Sequence, residues 1–200
     1  MNYTESLAYL DSLGKFGIKL GMERIEGLLR ELGNPEQKIK TVHVTGTNGK
    51  GSVTSMITNI LLAANLKVGK FTSPHLVKYN ERINLNGKDI SDDDFATAIT
   101  AVKVAADSVV KKGVCEQPTQ FEILTAAAFL YFYLQKVDYA VIEVGMGGLW
   151  DSTNVITPVV SVITNVALDH TDRCGKTLER IAMQLSLIHI SEPTRRTPIS

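Results

Sequence analysis

Thr41-Val42-His43-Val44-Thr45-Gly46-Thr47-Asn48-Gly49-Lys50-Gly51-Ser52 is the stretch whose reading decides the fold. Its first five residues are β-branched apart from His43, the composition of a short buried strand. A loop with glycines at 46, 49 and 51 follows, carrying Lys50. From Ser52 onward the period changes: Val53, Met56, Ile57, Ile60, Leu61 and Ala64 recur three and four apart, as on the apolar face of a helix. Strand, glycine loop, lysine and helix together make a phosphate cradle. The glycines let backbone N–H groups turn toward an anion, the helix N-terminus adds partial positive charge, and the lysine adds a full one.

The match to the P-loop consensus G-x-x-x-x-G-K-[ST] is imperfect. Val44 stands where the first glycine belongs, and Gly51 stands where a magnesium-binding hydroxyl follows the lysine. The loop can therefore hold phosphate but lacks its own metal hydroxyl. Glycine clusters between strand and helix also serve turn geometry alone; Lys50 and the helix behind it favour nucleotide phosphate. Lys50 is expected to be solvated until an anion arrives.

Working outward, 200 residues suffice for one α/β domain with a substantial core, or for one domain plus appendages. Lysine plus arginine equals aspartate plus glutamate at 21 each, so a sequence-independent nucleic-acid binder, which needs a basic excess, is not expected. No apolar run approaches the roughly 18 to 20 residues of a membrane span, and the N-terminus lacks a basic region leading into an apolar one. The expectation is a cytoplasmic, monomeric protein that binds no membrane. Cys115 and Cys174 have no C-x-x-C spacing and read as isolated thiols in a reducing compartment.

Upstream of the loop, Leu7, Leu10 and Leu13 mark one helix. Ile25, Leu28, Leu29 and Leu32 mark a second, stopped by Gly33-Asn34-Pro35. Between them, Phe16 to Gly21 is a connector or a ligand border. Downstream, Lys67 to Thr72 reads as a second strand, which makes a βαβ unit and a parallel sheet. Thr72-Ser73-Pro74-His75-Leu76 leaves its carboxyl end on the rim that holds the phosphate loop, where Ser73 or Thr72 could supply the hydroxyl that Gly51 cannot. The stretch to Ile90 reads as a loop with a small hairpin at Asn86-Gly87, and Arg82 is either an anion partner or a surface charge.

Ser91-Asp92-Asp93-Asp94 caps a helix through Phe95, Ile99, Val102 and Ala106 to about Lys112-Gly113. A metal cluster is the lesser reading of those aspartates. Thr119-Gln120-Phe121-Glu122 is a capping box before a strongly apolar helix, whose aromatics read as core. Asp138 to Val144 is a third strand, and Glu143 near its end must be solvated, paired or bound to metal. A glycine loop, Gly145 to Gly148, and Asp151-Ser152-Thr153-Asn154 follow. Pro158 to Thr164 is a fourth strand ending at Asn165, and Asp169-His170 comes shortly after, so His170 and Glu143 can approach across one rim.

These motifs, in this order, resemble the folylpolyglutamate synthase and dihydrofolate synthase family of the Mur ligase superfamily. They are T-G-T-N-G-K-G-S (45–52), T-S-P-H-L (72–76), N-E-R-I (80–83), Phe121-Glu122, E-V-G-M-G-G-L-W-D-S-T-N (143–154) and L-D-H-T (168–171). The resemblance runs from near the N-terminus to about Ala182. It implies a P-loop NTPase-like, mostly parallel sheet with flanking helices: the Mur ligase central domain, here incomplete. It implies that Gly46, Thr47, Asn48, Gly49, Lys50, Gly51 and Ser52 bind ATP, that Ser73, Glu143 and His170 hold Mg2+, and that Lys50 and His170 serve catalysis. Thr72, Pro74, His75, Arg82 and Phe121 would border the folate or dihydropteroate. ATP would phosphorylate the substrate carboxylate, and the amine of L-glutamate would attack the acyl phosphate.

Two positions depart from the family pattern: Leu149, where many members have arginine, and Leu185, where the family places a lysine that serves the metal site. From Leu185 onward the chain shows neither helical nor strand period and reads as translated adapter sequence, so His189 and Glu192 are not taken as a site. The expected layout is residues 1–184 as a partial ATP-binding domain and 185–200 as a non-native tail, with the C-terminal ligase domain absent. Two other readings stand beside it: another Mur-type ligase, disfavoured by T-S-P-H-L and G-K-G-S, and a nucleotide-binding fragment without ligase activity. For the chain as it stands, the inactive fragment is the expectation.

Overall fold

The computed structural model describes residues 1–14, 21–146, 148, 150–167 and 177–186. The connector Phe16 to Leu20, Leu149, Cys174, Asp169 and His170 lie outside the described residues. A six-stranded sheet runs in the order β4-β3-β2-β5-β1-β6. The strands are β1 (Thr41–Thr45), β2 (Val68–Phe71), β3 (Ile83–Leu85), β4 (Lys88–Asp89), β5 (Tyr139–Glu143) and β6 (Val160–Ile163). β2, β5, β1 and β6 are parallel, and the β3–β4 hairpin adds antiparallel at the β2 edge. Asn86 and Gly87, both at positive φ, make the tight turn read from the sequence. The expected α/β class and mostly parallel sheet are present.

β1 has a paired strand on each side and is buried along its whole length. Val42 and Val44, with Val68 and Val141, face helix α3 (Lys50–Ala63) through Val53, Ile57, Leu61 and Leu62. The opposite sheet face holds the larger core. There Phe71, Ala140 and Ile142 meet α1 (Tyr3–Gly14), α2 (Glu23–Glu31), α4 (Asp92–Lys111) and α5 (Gln120–Leu134). α5 is apolar nearly all round because it lies between the sheet and other helices, and Phe129 and Phe132 are fully buried core, as expected for its aromatics. A final helix, α6 (Leu178–Ser186), buries Ile181 and Leu185 with Val166.

The helix signals read locally hold. Ser91 Oγ accepts the Asp94 N–H at 3.1 Å, so the three aspartates sit in the first turn of α4 as capping residues. Thr119 and Glu122 form the reciprocal capping box of α5. α2 ends into Gly33 and Asn34, both at positive φ. α3 departs from expectation: Met56 and Ile60, assigned to its apolar face, are 63% and 67% exposed. The face turned to the sheet instead includes Thr54 and Thr58, and Thr58 satisfies its hydroxyl by donating to Thr54 O. The apolar residues of α3 span a wider arc than one sheet face covers, so spacing alone could not say which part of the arc is buried.

Candidate functional site

Four parallel strands end on one rim. Thr45 runs into the glycine loop, Phe71 into Thr72-Ser73-Pro74, Glu143 into the second glycine loop and Ile163 into residues 164–167. This is the side on which open α/β sheets bind ligands.

At the phosphate loop, Gly49 at φ +78 caps α3, and the first helical acceptance is Gly49 O from the Val53 N–H. The N–H groups of Lys50, Gly51 and Ser52 therefore precede the helical ladder and point out of its N-terminus, the arrangement that suits an anion. Lys50 is half-buried rather than free in solvent: Nζ donates to Gly46 O at 2.9 Å and Thr47 O at 3.4 Å. Both acceptors are carbonyl dipoles of its own loop.

Glu143 stands two residues after Val141 on β5 and so faces the same α3 side of the sheet. Its two carboxylate oxygens lie 3.7 Å from where a Cβ on Gly51 would stand, and Oε2 accepts the Ser73 N–H at 3.1 Å. Gly51, Ser73 and Glu143 are therefore one cluster, as their places on the rim predicted. Glu143 is 4% exposed, and burial pushes its carboxyl up against the opposing pull of Ser73 N–H, Lys50 and Lys70. A buried carboxylate is a hard oxygen donor of the kind Mg2+ takes, and a cation would relieve the burial of its charge. Among the described residues no group of three or more His, Cys, Asp or Glu side chains gathers around a metal position.

The residues expected to border the substrate lie on the neighbouring part of the rim. The Ser73–Pro74 bond is cis. Arg82 Nε donates to His75 Nδ1 at 2.8 Å, which places the proton of the neutral imidazole on Nε2, and burial followed by the Arg82 charge holds the imidazole pKa below its usual value. The His75 and Tyr79 rings are in contact, tilted at 46° with centroids 4.4 Å apart. The Glu81 carboxylate accepts the N–H groups of Leu76, Val77 and Lys78, fixing the loop between. Tyr79 Oη accepts from Gln120 Nε2 at 2.8 Å, which ties this loop to the start of α5, where Phe121 lies 6.1 Å from Phe71. Thr72 donates its N–H to Arg82 O. Arg82 is not the ordinary surface charge that is one of its two readings: it is half-buried and donates to His75.

Several site-shaping residues were not visible as such in the sequence. Asp151, 6% exposed, accepts the N–H groups of Met146 and Thr153 and the Thr153 hydroxyl, at 2.8, 3.0 and 2.6 Å. Burial pushes its carboxyl up. Thr153 Oγ1 lies 2.9 Å from His43 Nε2, so a buried polar chain runs from the second glycine loop to the centre of β1. A Cβ on Gly145 would come within 2.6 Å of the Phe121 ring and 2.9 Å of Asp151, which explains glycine there. The signal in the sequence was His43 itself, a polar residue in a buried strand that had to find a partner. Glu122 adds to its capping role an ion pair with Arg24 of α2 at 3.1 Å.

The fold and this rim define a parallel α/β unit with a glycine loop, a lysine and a buried carboxylate at the carboxyl ends of its strands. Residues 44–195 match the Mur ligase middle domain, and the chain belongs to that family. It is 44% identical over 183 residues to the dihydrofolate synthase/folylpolyglutamate synthase of Bacillus subtilis, covering 90% of this chain and 42% of that protein. It is 46% identical over 182 residues to the folylpolyglutamate synthase of Lacticaseibacillus casei, covering 91% of this chain and 42% of that one. The chain thus spans less than half the length of these curated relatives. Among solved structures, the FPGS-AMPPCP-folate complex superposes with a TM-score of 0.88 at 45% identity, over 94% of this chain and 46% of that one. E. coli FolC in complex with DHPP and ADP superposes with a TM-score of 0.85 at 33% identity, over 94% and 44%.

Proposed function

We propose that the protein is the ATP-binding part of a ligase that joins L-glutamate to tetrahydrofolate or dihydropteroate. The observation that carries this reading is the cluster at the head of α3, where Lys50 and the first-turn N–H groups stand beside Glu143 and Ser73. The similarity to enzymes solved with AMPPCP and folate, or with ADP and DHPP, supports the substrate class. In the proposed reaction the substrate carboxylate attacks the γ-phosphorus, the bond to the β-phosphate oxygen breaks, and ADP leaves. The glutamate amine then attacks the acyl carbon, expels phosphate and releases a proton. Glu143 and the Ser73 hydroxyl would hold Mg2+, with His170 as the further ligand that the family resemblance implies. When bound, that ion neutralises charge on the phosphate oxygens. Lys50 leaves the Gly46 and Thr47 carbonyls for the phosphates and offsets the charge that builds on the transferring group. His75 presents Nε2–H, and with Phe121 borders the pterin-bearing substrate.

Lys50→Ala tests the nucleotide site. Loss of a charge-assisted contact should weaken ADP binding by at least about ten-fold with an unchanged circular dichroism spectrum. Unchanged affinity would sink the assignment. The substrate class is tested with ATP, magnesium, tetrahydrofolate and labelled glutamate, using protein of the relatives' full length: labelled folyl-diglutamate supports it, and transfer of glutamate only to a cell-wall precursor refutes it.

A further inference from the structure

We propose that Asn165 is a positioning residue of the phosphate loop, which anchors the loop's leading half so that its trailing N–H groups are left for phosphate. This rests on the nucleotide reading of the loop. Asn165 holds the loop at two successive residues: its backbone carbonyl accepts the Thr47 N–H at 3.1 Å, and its side-chain Oδ1 accepts the Asn48 N–H at 2.8 Å. The neighbours of Asn165 complete the grip. Thr164 Oγ1 donates to Asn48 O at 2.7 Å, the Ala167 N–H donates to Thr47 Oγ1 at 3.0 Å, and that hydroxyl lies 3.2 Å from Ala167 O.

Gly46 belongs to the same device. At φ +143, a Cβ there would stand 1.9 Å from Thr164 Oγ1 and 3.1 Å from Asn165 N, so only glycine lets the strap close. The strap is positioned by the sheet: the Thr164 N–H donates to Thr45 O, continuing the β1–β6 ladder one residue past the strands. The division of labour follows from the donors. The N–H groups of Thr47 and Asn48 are spent on Asn165, and those of Lys50, Gly51 and Ser52, at the open end of α3, are free of the helical ladder. A four-residue loop with glycines at 46 and 49 has many conformations available to it, and holding Thr47 and Asn48 removes most of them before a ligand arrives.

Asn165 is exposed, so its replacement leaves the core untouched. Amide exchange at Asn48 and ADP titration of the chain and its variants test the inference. In Asn165→Ala the Asn48 amide should exchange about ten-fold faster, ADP affinity should fall about five- to ten-fold, and Tm should stay unchanged. Asn165→Asp keeps an acceptor oxygen in place and should restore slow exchange; exchange as fast as in the alanine variant overturns the assignment. Unchanged ADP affinity in Asn165→Ala, with affinity lost in Lys50→Ala, overturns the role of Asn165 and leaves the nucleotide reading standing. Unchanged affinity in both overturns the nucleotide reading and the inference with it. Should Asn165→Ala lower Tm, Thr164→Val decides: removing the hydroxyl donated to Asn48 O must also weaken ADP binding, and an unchanged affinity counts against the strap.

Discussion

Glu36, in the turn Pro35–Lys38 that leads into β1, is 4% exposed, and its Oε2 is buried without a hydrogen-bond partner. Burial pushes this carboxyl up from its usual 4.5. The folded protein therefore binds that proton more tightly than the unfolded chain. The resulting stability is fully present below about pH 4.5 and is lost as pH rises through the folded-state value. Glu36→Gln, neutral at every pH, should raise Tm at pH 7 by a few degrees and leave it nearly unchanged at pH 4. Equal shifts at the two pH values would refute this account. The same scale explains Lys50, which the sequence placed inside the loop and which the structure places at the first residue of α3, with partners, the Gly46 and Thr47 carbonyls, that depend on how the loop closes.

Between elements, two contacts set how the helices sit over the sheet. Gly69 of β2 lies under Phe132 of α5, and an added Cβ would come within 2.6 to 2.8 Å of three ring atoms. Phe132 is fully buried and cannot swing out, so Gly69→Ala should destabilise the fold by about 1–3 kcal/mol, measured by urea denaturation. Arg24 of α2 and Glu122 of α5 form a buried ion pair, the side chains being 9% and 2% exposed. Arg24→Met should cost about 3–5 kcal/mol, because it leaves the Glu122 charge buried without its guanidinium. A loss below 1 kcal/mol would show that water reaches Glu122. Capping boxes, helix stops and the Asn86-Gly87 turn were legible in the sequence because each is built within about four residues. Arg24–Glu122 and Asp151–Thr153–His43 were not, because their partners are brought together from segments far apart in the chain.

At the scale of the whole molecule, β6 is one of the two sheet edges among the described residues and carries Val160 at 51% exposure, with Val159 beside it at 56%. Met56 and Ile60 add exposed apolar surface on α3. An open edge with apolar side chains is a template for pairing with another chain. The purified chain should therefore self-associate, and Val160→Lys should reduce the association seen by light scattering. A monodisperse wild-type sample would contradict this. No helix among the described residues is long and apolar enough to cross a membrane.

The sequence by itself determined the α/β class, the strand, glycine loop and helix at its centre, and the placing of Ser73 and Glu143 on the same rim. Those features follow from local periodicity and from the rule that parallel strands end on one side. Only the tertiary structure decided which arc of α3 is buried, that Arg82 serves His75, that Asp151 reaches His43 through Thr153, and that Asn165 grips the phosphate loop from 117 residues away. A hydrogen bond between segments so far apart depends on strand order and register, and neither is written in any one stretch of the chain.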